Sequence, residues 1–320
     1  MRTGKAYDSL NGHRLVRSFT HILGLLCASG MILAGCSGDP GLDEDAQQGG
    51  DRSFGLLTVQ YLAEGPAYVP ELGDQPASLE VTATAQFVRY SAMETEQVAR
   101  VLALPFDPVH DLPALDTCGV YHLSTDLNEQ DVEGEQGAEV ELLEAGELAV
   151  DAGSNLVLVP KYFPGLVPFV SGVVYGEAQA TQASPPDRVT AVSAGSEAVE
   201  PFRAEGISPE PLSLEPLAQT SLEQGISLRW QVNSRQPEAA EVAYLEIKPT
   251  HSNGQRAVRC RMLDDGAFEV DAEVLAVLRQ DAGTNLTLEA GRVRQMSFSA
   301  EGLDSAKLRL SATERLPLSR

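Results

Sequence analysis

The chain has 320 residues and a formal net charge of −23, with 46 acidic side chains against 23 basic ones. That balance opposes binding to nucleic acid or to anionic lipid, because both depend on clustered Lys and Arg. A hydrophobic fraction of 43% excludes disorder throughout, and the length allows one or two domains.

The first element in the chain is an apolar run preceded by Arg14 and Arg17. It contains Ile22, Leu23, Leu25, Leu26, Met31, Ile32 and Leu33, with no charge between 22 and 35. The run is shorter than the ~20 residues a spanning helix needs, so it is predicted to be an export signal and not a permanent span. It ends in Leu33, Ala34, Gly35 and Cys36, which resemble at every position the lipobox of bacterial lipoproteins. That resemblance implies that residues 1–35 are a signal peptide, that cleavage follows Gly35, and that Cys36 becomes the lipidated first residue. Each buried methylene of an acyl chain adds about 0.8 kcal/mol of membrane affinity, so two or three chains anchor a protein stably. In many Gram-negative bacteria an Asp after the cysteine marks inner-membrane retention. Ser37 stands there instead, which favours the outer membrane. Residues 36–53 are then the lipidated cysteine and a flexible tether rich in Gly, Asp and Gln, with almost nothing to bury.

From Phe54 onward the pattern is one of short apolar runs between turn residues. Leu79, Val81, Ala83, Ala85 and Phe87 alternate with Glu80, Thr82, Thr84 and Gln86, the two-residue period of a half-buried strand. Further strands are predicted at 119–124, 139–143, 147–150, 155–160, 167–175, 188–193, 198–204 and 211–215. Ile226, Leu228, Trp230 and Val232 alternate again, and strands at 241–248 and 256–262 flank a hairpin turn at His251, Ser252, Asn253 and Gly254. The last strands are predicted at 285–289, 292–300 and 306–312. A short helix is expected after Asp271, with Glu273 in its first turn and Val274, Leu275 and Leu278 as its apolar stripe, and a second at 94–103.

This pattern predicts a mainly β protein: one or two antiparallel β-sandwich domains, Ig-like or jelly-roll-like, with one or two short helices. A barrel is the alternative. The expected boundaries are 54–204 for a first sandwich-like domain and 205–320 for a second. Asp151, Ala152, Gly153, Ser154, Asn155, Leu156 and Leu158 recur as Asp281, Ala282, Gly283, Thr284, Asn285, Leu286 and Leu288. Two related β domains would produce that repetition, and so would two similar tight turns leading into strands.

Two cysteines follow the anchor, Cys118 and Cys260, in a compartment where disulfides persist. A bridge between them and two separate buried thiols both fit the sequence. His110, His122 and His251 form no pair with metal-ligand spacing, and the common zinc, serine-hydrolase and phosphate-loop signatures are missing. Asp126, Asn128, Glu129, Asp131, Glu133 and Glu135 begin like an EF-hand loop, but Asp131 stands where Gly is needed and Gly137 where Glu is needed. Asp126, Asn128 and Asp131 are therefore the calcium candidates of a looser site, against the simpler expectation of an exposed acidic loop. No other cofactor or metal is expected. Trp230 is expected in the core, and residues 161–165, with Tyr162 and Phe163, as an exposed loop near Phe169 and Tyr175.

The second half, with its cysteine-containing strand, the run Asp264, Asp265, Gly266, Ala267 and Phe268, a short capped helix and closing strands, is similar to the ectodomains of myxobacterial surface lipoproteins. The resemblance spans about residues 195–315 and brings no activity with it. The expected function is that of a non-enzymatic binding or structural module of the cell envelope, held to the membrane by its lipid, with an envelope protein or a polysaccharide as partner. The alternative is an extracytoplasmic carbohydrate-active or other hydrolytic enzyme, since catalytic carboxylates are recognised by separation in space and not in sequence.

Overall fold

The computed structural model describes residues 51–64, 78–102, 104, 106–108, 110–122, 139–167, 170–215, 217, 223–232, 241–250, 256–279 and 285–318. The expected signal peptide, residues 36–50 of the expected tether and the acidic run from Asp126 to Glu135 lie outside them; the last two residues given to the tether, Arg52 and Ser53, instead begin β1, where they pair with Tyr90 and Arg89. The described chain is mainly β. It comprises β1 (Arg52–Glu64), β2 (Leu79–Ser91), α1 (Thr95–Val101), β3 (Thr117–His122), β4 (Glu139–Leu142), β5 (Leu148–Asp151), β6 (Asn155–Leu158), β7 (Pro160–Val167), β8 (Val170–Tyr175) and β9 (Ala178–Gln182). These are followed by β10 (Arg188–Ser193), β11 (Arg203–Ile207), β12 (Ile226–Arg229), β13 (Glu241–Pro249), β14 (Arg256–Met262), β15 (Ala267–Val270), α2 (Ala272–Arg279), β16 (Leu286–Ser297) and β17 (Ser305–Leu318).

One 11-stranded sheet runs β3-β14-β13-β16-β17-β1-β2-β4-β8-β7, with β9 paired to the free half of β2. A four-stranded sheet, β11-β10-β5-β6, and a two-stranded sheet, β12-β15, make up the rest. Among the described strands the sheets stay open and no barrel closes. The large sheet is the shared wall of two sandwiches. Over one half the four-stranded sheet encloses a first core, in which Leu57, Val59 and Tyr61 of β1 meet Leu148, Val150, Leu158 and Val189. Over the other half β12, β15 and α2 enclose a second core, in which Leu245, Ile247, Val258 and Leu288 meet Leu228, Phe268, Leu275 and Leu278.

Alternation explains most of this. Leu79, Val81, Ala83, Ala85 and Phe87 point into the first core, and their polar neighbours point to the opposite face. Toward its C-terminal end β2 is buried on both faces, because Val88 and Tyr90 pack under Val98 of α1. The Gln97 side chain reaches back to accept the Glu94 N–H at 2.7 Å and so fixes the first turn of that helix. At Gly172 of β8, φ is +118° and a Cβ would lie 2.1 Å from the Leu142 carbonyl oxygen, so the parallel contact of β8 with β4 requires glycine.

The strands differ from expectation at several places: β1, β9 and β15 have no counterpart among the expected strands, and four other stretches are placed differently. Residues 285–289 and 292–300 belong largely to a single strand, β16. The strand expected at 198–204 begins only at Arg203. Residues 211–215 make a single bridge, Leu214 to Trp230, in place of a strand. Residues 161–165, expected as a loop, lie in β7 at the edge of the large sheet, with Tyr162 74% exposed.

Residues on either side of 204 share the large sheet, joined where β1 pairs with β17. Apart from Cys118, the second core is drawn from residues beyond 211, whereas the first takes Ala300, Leu308, Leu310 and Ala312 from the far end of the chain. The two copies of the repeated motif sit in different settings. Residues 152–154 turn between antiparallel β5 and β6, while Asn285 leads into β16 after a helix.

Candidate functional site

The two strands that run along both sandwiches, β16 and β17, carry charges where the alternation calls for apolar residues. On β17, Leu308, Leu310 and Ala312 enter the first core and Leu316 and Leu318 the second; Glu314, in phase between them, is fully buried. On β16, Leu286, Leu288 and Ala290 enter the second core, Arg292 and Arg294 follow in phase, and Met296 then packs against the first. The three charges form a polar seam between the two cores.

The seam holds the segment that carries the chain from β11 to β12. Glu314 accepts the Ser213 N–H at 2.7 Å and the Leu214 N–H at 3.1 Å. Arg292, 1% exposed, donates to the carbonyls of Glu210 at 3.0 Å and Pro211 at 2.8 Å. Its other donors make a two-point pair with Asp264, at 2.7 and 2.9 Å, and Trp230 Nε1–H donates to the same carboxylate at 2.8 Å. Burial alone would raise the Asp264 carboxyl, but the Arg292 and Trp230 donors outweigh it and hold the group below the usual carboxylate range. Arg294 donates to the Ile207 carbonyl at 3.1 Å and to Glu241 at 2.5 Å. Trp230 is thus a core residue with a polar handle, as the sequence suggests.

A second charged arrangement crosses five strands on the outer face of the large sheet. Arg259 donates to Glu246 (2.8 Å), Lys248 to Glu246 (2.6 Å) and Glu289 (2.9 Å), and Arg315 to Glu289 (2.9 Å) and Glu64 (2.7 Å). Burial would raise the Glu246 carboxyl, yet Lys248 and Arg259 prevail and lower it. Glu246 and Glu289 are therefore two carboxylates that share a cation. A glycosidase acid needs a raised pKa, the opposite of the condition at Glu246.

Beside this ladder the segment before β3 is strapped to the sheet. The Arg259 guanidinium lies 4.1 Å from the Phe106 ring centroid and 5.1 Å from that of Tyr121. Arg309 donates to the Phe106 carbonyl at 3.0 Å, and Phe106 meets Tyr244 edge-on at 5.6 Å. Cys118 of β3 and Cys260 of β14 are joined by a disulfide, with Cα atoms 4.0 Å apart. The β3–β14 register, Arg256 opposite His122 and Ala257 opposite Tyr121, continues to place Cys118 directly opposite Cys260.

The remaining sequence candidates are not brought together. His110 and His122 are exposed at separate places, and Tyr175 is buried, accepting the Ala145 N–H at 2.7 Å and donating to the Gly146 carbonyl at 2.9 Å. Gly35, Cys36, Asp126, Asn128, Asp131 and His251 lie outside the described residues. Among those described, no group of three or more His, Cys, Asp or Glu side chains is placed to hold a metal ion. The reading from sequence missed Arg292, Arg294 and Glu314, although their phase on β16 and β17 was the signal that could have found them.

Three buried tyrosines give the fold a defined alkaline limit. Burial raises Tyr61, Tyr175 and Tyr244 from 10.0 to about 12. A raised phenol pKa means that folding favours the neutral form, so this contribution is complete below pH 10 and is lost as pH rises from 10 toward 12. Urea midpoints are expected to hold steady up to pH 10 and to fall steeply above it, with the ring resonances of Tyr61, Tyr175 and Tyr244 shifting to their ionised positions only together with unfolding. Ionisation of any of these three rings near pH 10 in a still-folded chain would contradict this.

No family model, curated protein or solved structure matches the chain.

Proposed function

We propose that this chain is a lipid-anchored, non-enzymatic module of the bacterial cell envelope, cleaved after Gly35, acylated on Cys36 and held at the outer membrane to engage an envelope protein or a polysaccharide. The observation that carries the reading is the Cys118–Cys260 disulfide, a cross-link that belongs to oxidising compartments outside the cytoplasm. It agrees with the export signal and the Leu33, Ala34, Gly35, Cys36 motif. The strong acidity points the same way: such a surface has little attraction for anionic lipid, so the acyl chains would hold the protein to the membrane and leave its folded part free.

The test is fractionation of cells expressing the full chain or Cys36→Ser, with metabolic fatty-acid labelling. The unaltered chain is expected in the membrane fraction and labelled, and Cys36→Ser unlabelled and released. Retention of Cys36→Ser in the membrane would overturn the anchor. Cross-linking in intact cells with the anchored form then tests the partner: capture of a defined envelope component supports the binding role.

A further inference from the structure

The first and last strands of the fold are neighbours that run the same way in the interior of one sheet. β1 pairs in parallel with β17 from Phe54 opposite Ser305 to Glu64 opposite Arg315, an unbroken register of eleven positions. On its other side β1 pairs with β2 over twelve positions, and β17 pairs with β16 over twelve more. Neither strand is at an edge. The chain enters β1 at Arg52 and leaves β17 at Leu318, at opposite ends of the parallel pair.

This placement decides how a pull is shared. Tension drawn along the strands from the two ends of the chain slides β1 against β17. The ladder hydrogen bonds are evenly spaced and run between the strands at a slant to that direction, so the load is shared along the ladder and does not fall on one pair at a time. Sliding by one residue would also turn Leu57, Val59 and Tyr61 out of the core and the polar residues of β1 into it. The start of the strand is clasped as well: the Ser53 N–H and O–H donate to Asp304 at 2.7 and 2.9 Å, and the Asp304 N–H donates back to the Ser53 hydroxyl at 3.0 Å. At the far end Arg315 bridges to Glu64 at 2.7 Å.

We propose that the fold is a shear clamp whose further function is to sustain tension between its N-terminal attachment and a load applied beyond Leu318. The proposal rests on the anchor reading only for where the force enters; the clamp itself follows from strand pairing.

The experiment is single-molecule force spectroscopy on the full chain in two geometries. In the first, handles are attached at the two chain ends. In the second, one handle is at the N-terminal end and the other at Ser91→Cys, beside the start of β1, so that the β1–β2 ladder opens one pair at a time. The expected result is a several-fold higher unfolding force in the first geometry at equal loading rate. Equal forces in the two geometries would overturn the clamp and leave the anchor untouched. Release of neither form from membranes in the fractionation above would overturn the anchor and leave the clamp untouched.

Discussion

Cys118→Ser is expected to lower the free energy of unfolding by about 5 kcal/mol, in the chain-entropy treatment of a cross-link spanning 142 residues. The effect lies chiefly in the unfolded state, which expands when a loop of that size is released. The urea dependence of the unfolding free energy should therefore steepen as the midpoint falls. Reduction of the unaltered protein should reproduce both changes and have no effect on the double variant Cys118→Ser, Cys260→Ser. In the folded state the strap before β3 keeps its Arg259 stacking and its Arg309 bond to Phe106. Faster amide exchange is accordingly expected first in β3, at the sheet edge. A loss below about 1 kcal/mol, with an unchanged slope, would show that the bridge does not constrain the unfolded chain.

Arg292→Ala is expected to cost about 3–5 kcal/mol, the range for removing one partner of a buried ion pair. The variant leaves Asp264 without its cation and the Glu210 and Pro211 carbonyls without their donor. The Asp264 carboxyl should then titrate at higher pH. In the unaltered protein its lowered pKa means that its contribution is present above the ordinary carboxylate range and is lost as pH falls through it. Adding Asp264→Leu to Arg292→Met should recover part of the loss, since the charge left behind is then gone. The two carbonyls and Trp230 Nε1–H would still lack partners, so recovery stays incomplete. Strict additivity in that cycle, measured by urea unfolding, would show that the seam is not a coupled unit.

What the sequence disclosed follows the physics of alternation. β2, β10, β14 and α2 were legible because each has one apolar face and one polar face or a clear cap. The sequence splits β16 into two expected strands because Ala290 and Gly291 look like a break. Gly291 instead sits where a Cβ would lie 2.3 Å from the Ala312 carbonyl oxygen, so the glycine permits close packing inside a continuous strand. β7 was hidden by Pro160, Pro164 and Gly165, residues that an edge strand tolerates and a central one does not. Arg292, Arg294 and Glu314 do not stand out in the sequence because single charges in strands are usually solvent-facing. Only the neighbouring sandwich, which no local pattern reveals, makes their inward phase meaningful.

The parallel pairing of β1 with β17 also sets an order of events during folding. Phe54 and its partner Ser305 are 251 residues apart, so synthesis from the N-terminus delivers β1 long before the strand that will lie against it. The β1–β2 pair can form early, but one side of β1 then remains an open ladder until β17 arrives, and both cores lack the residues that β17 contributes. Contacts at such separation make for slow completion and a prolonged aggregation-prone interval. A chain truncated before Ser305 should consequently collect as a partly folded species that binds hydrophobic dyes, and the full chain should pass through the same species on its way to the native state.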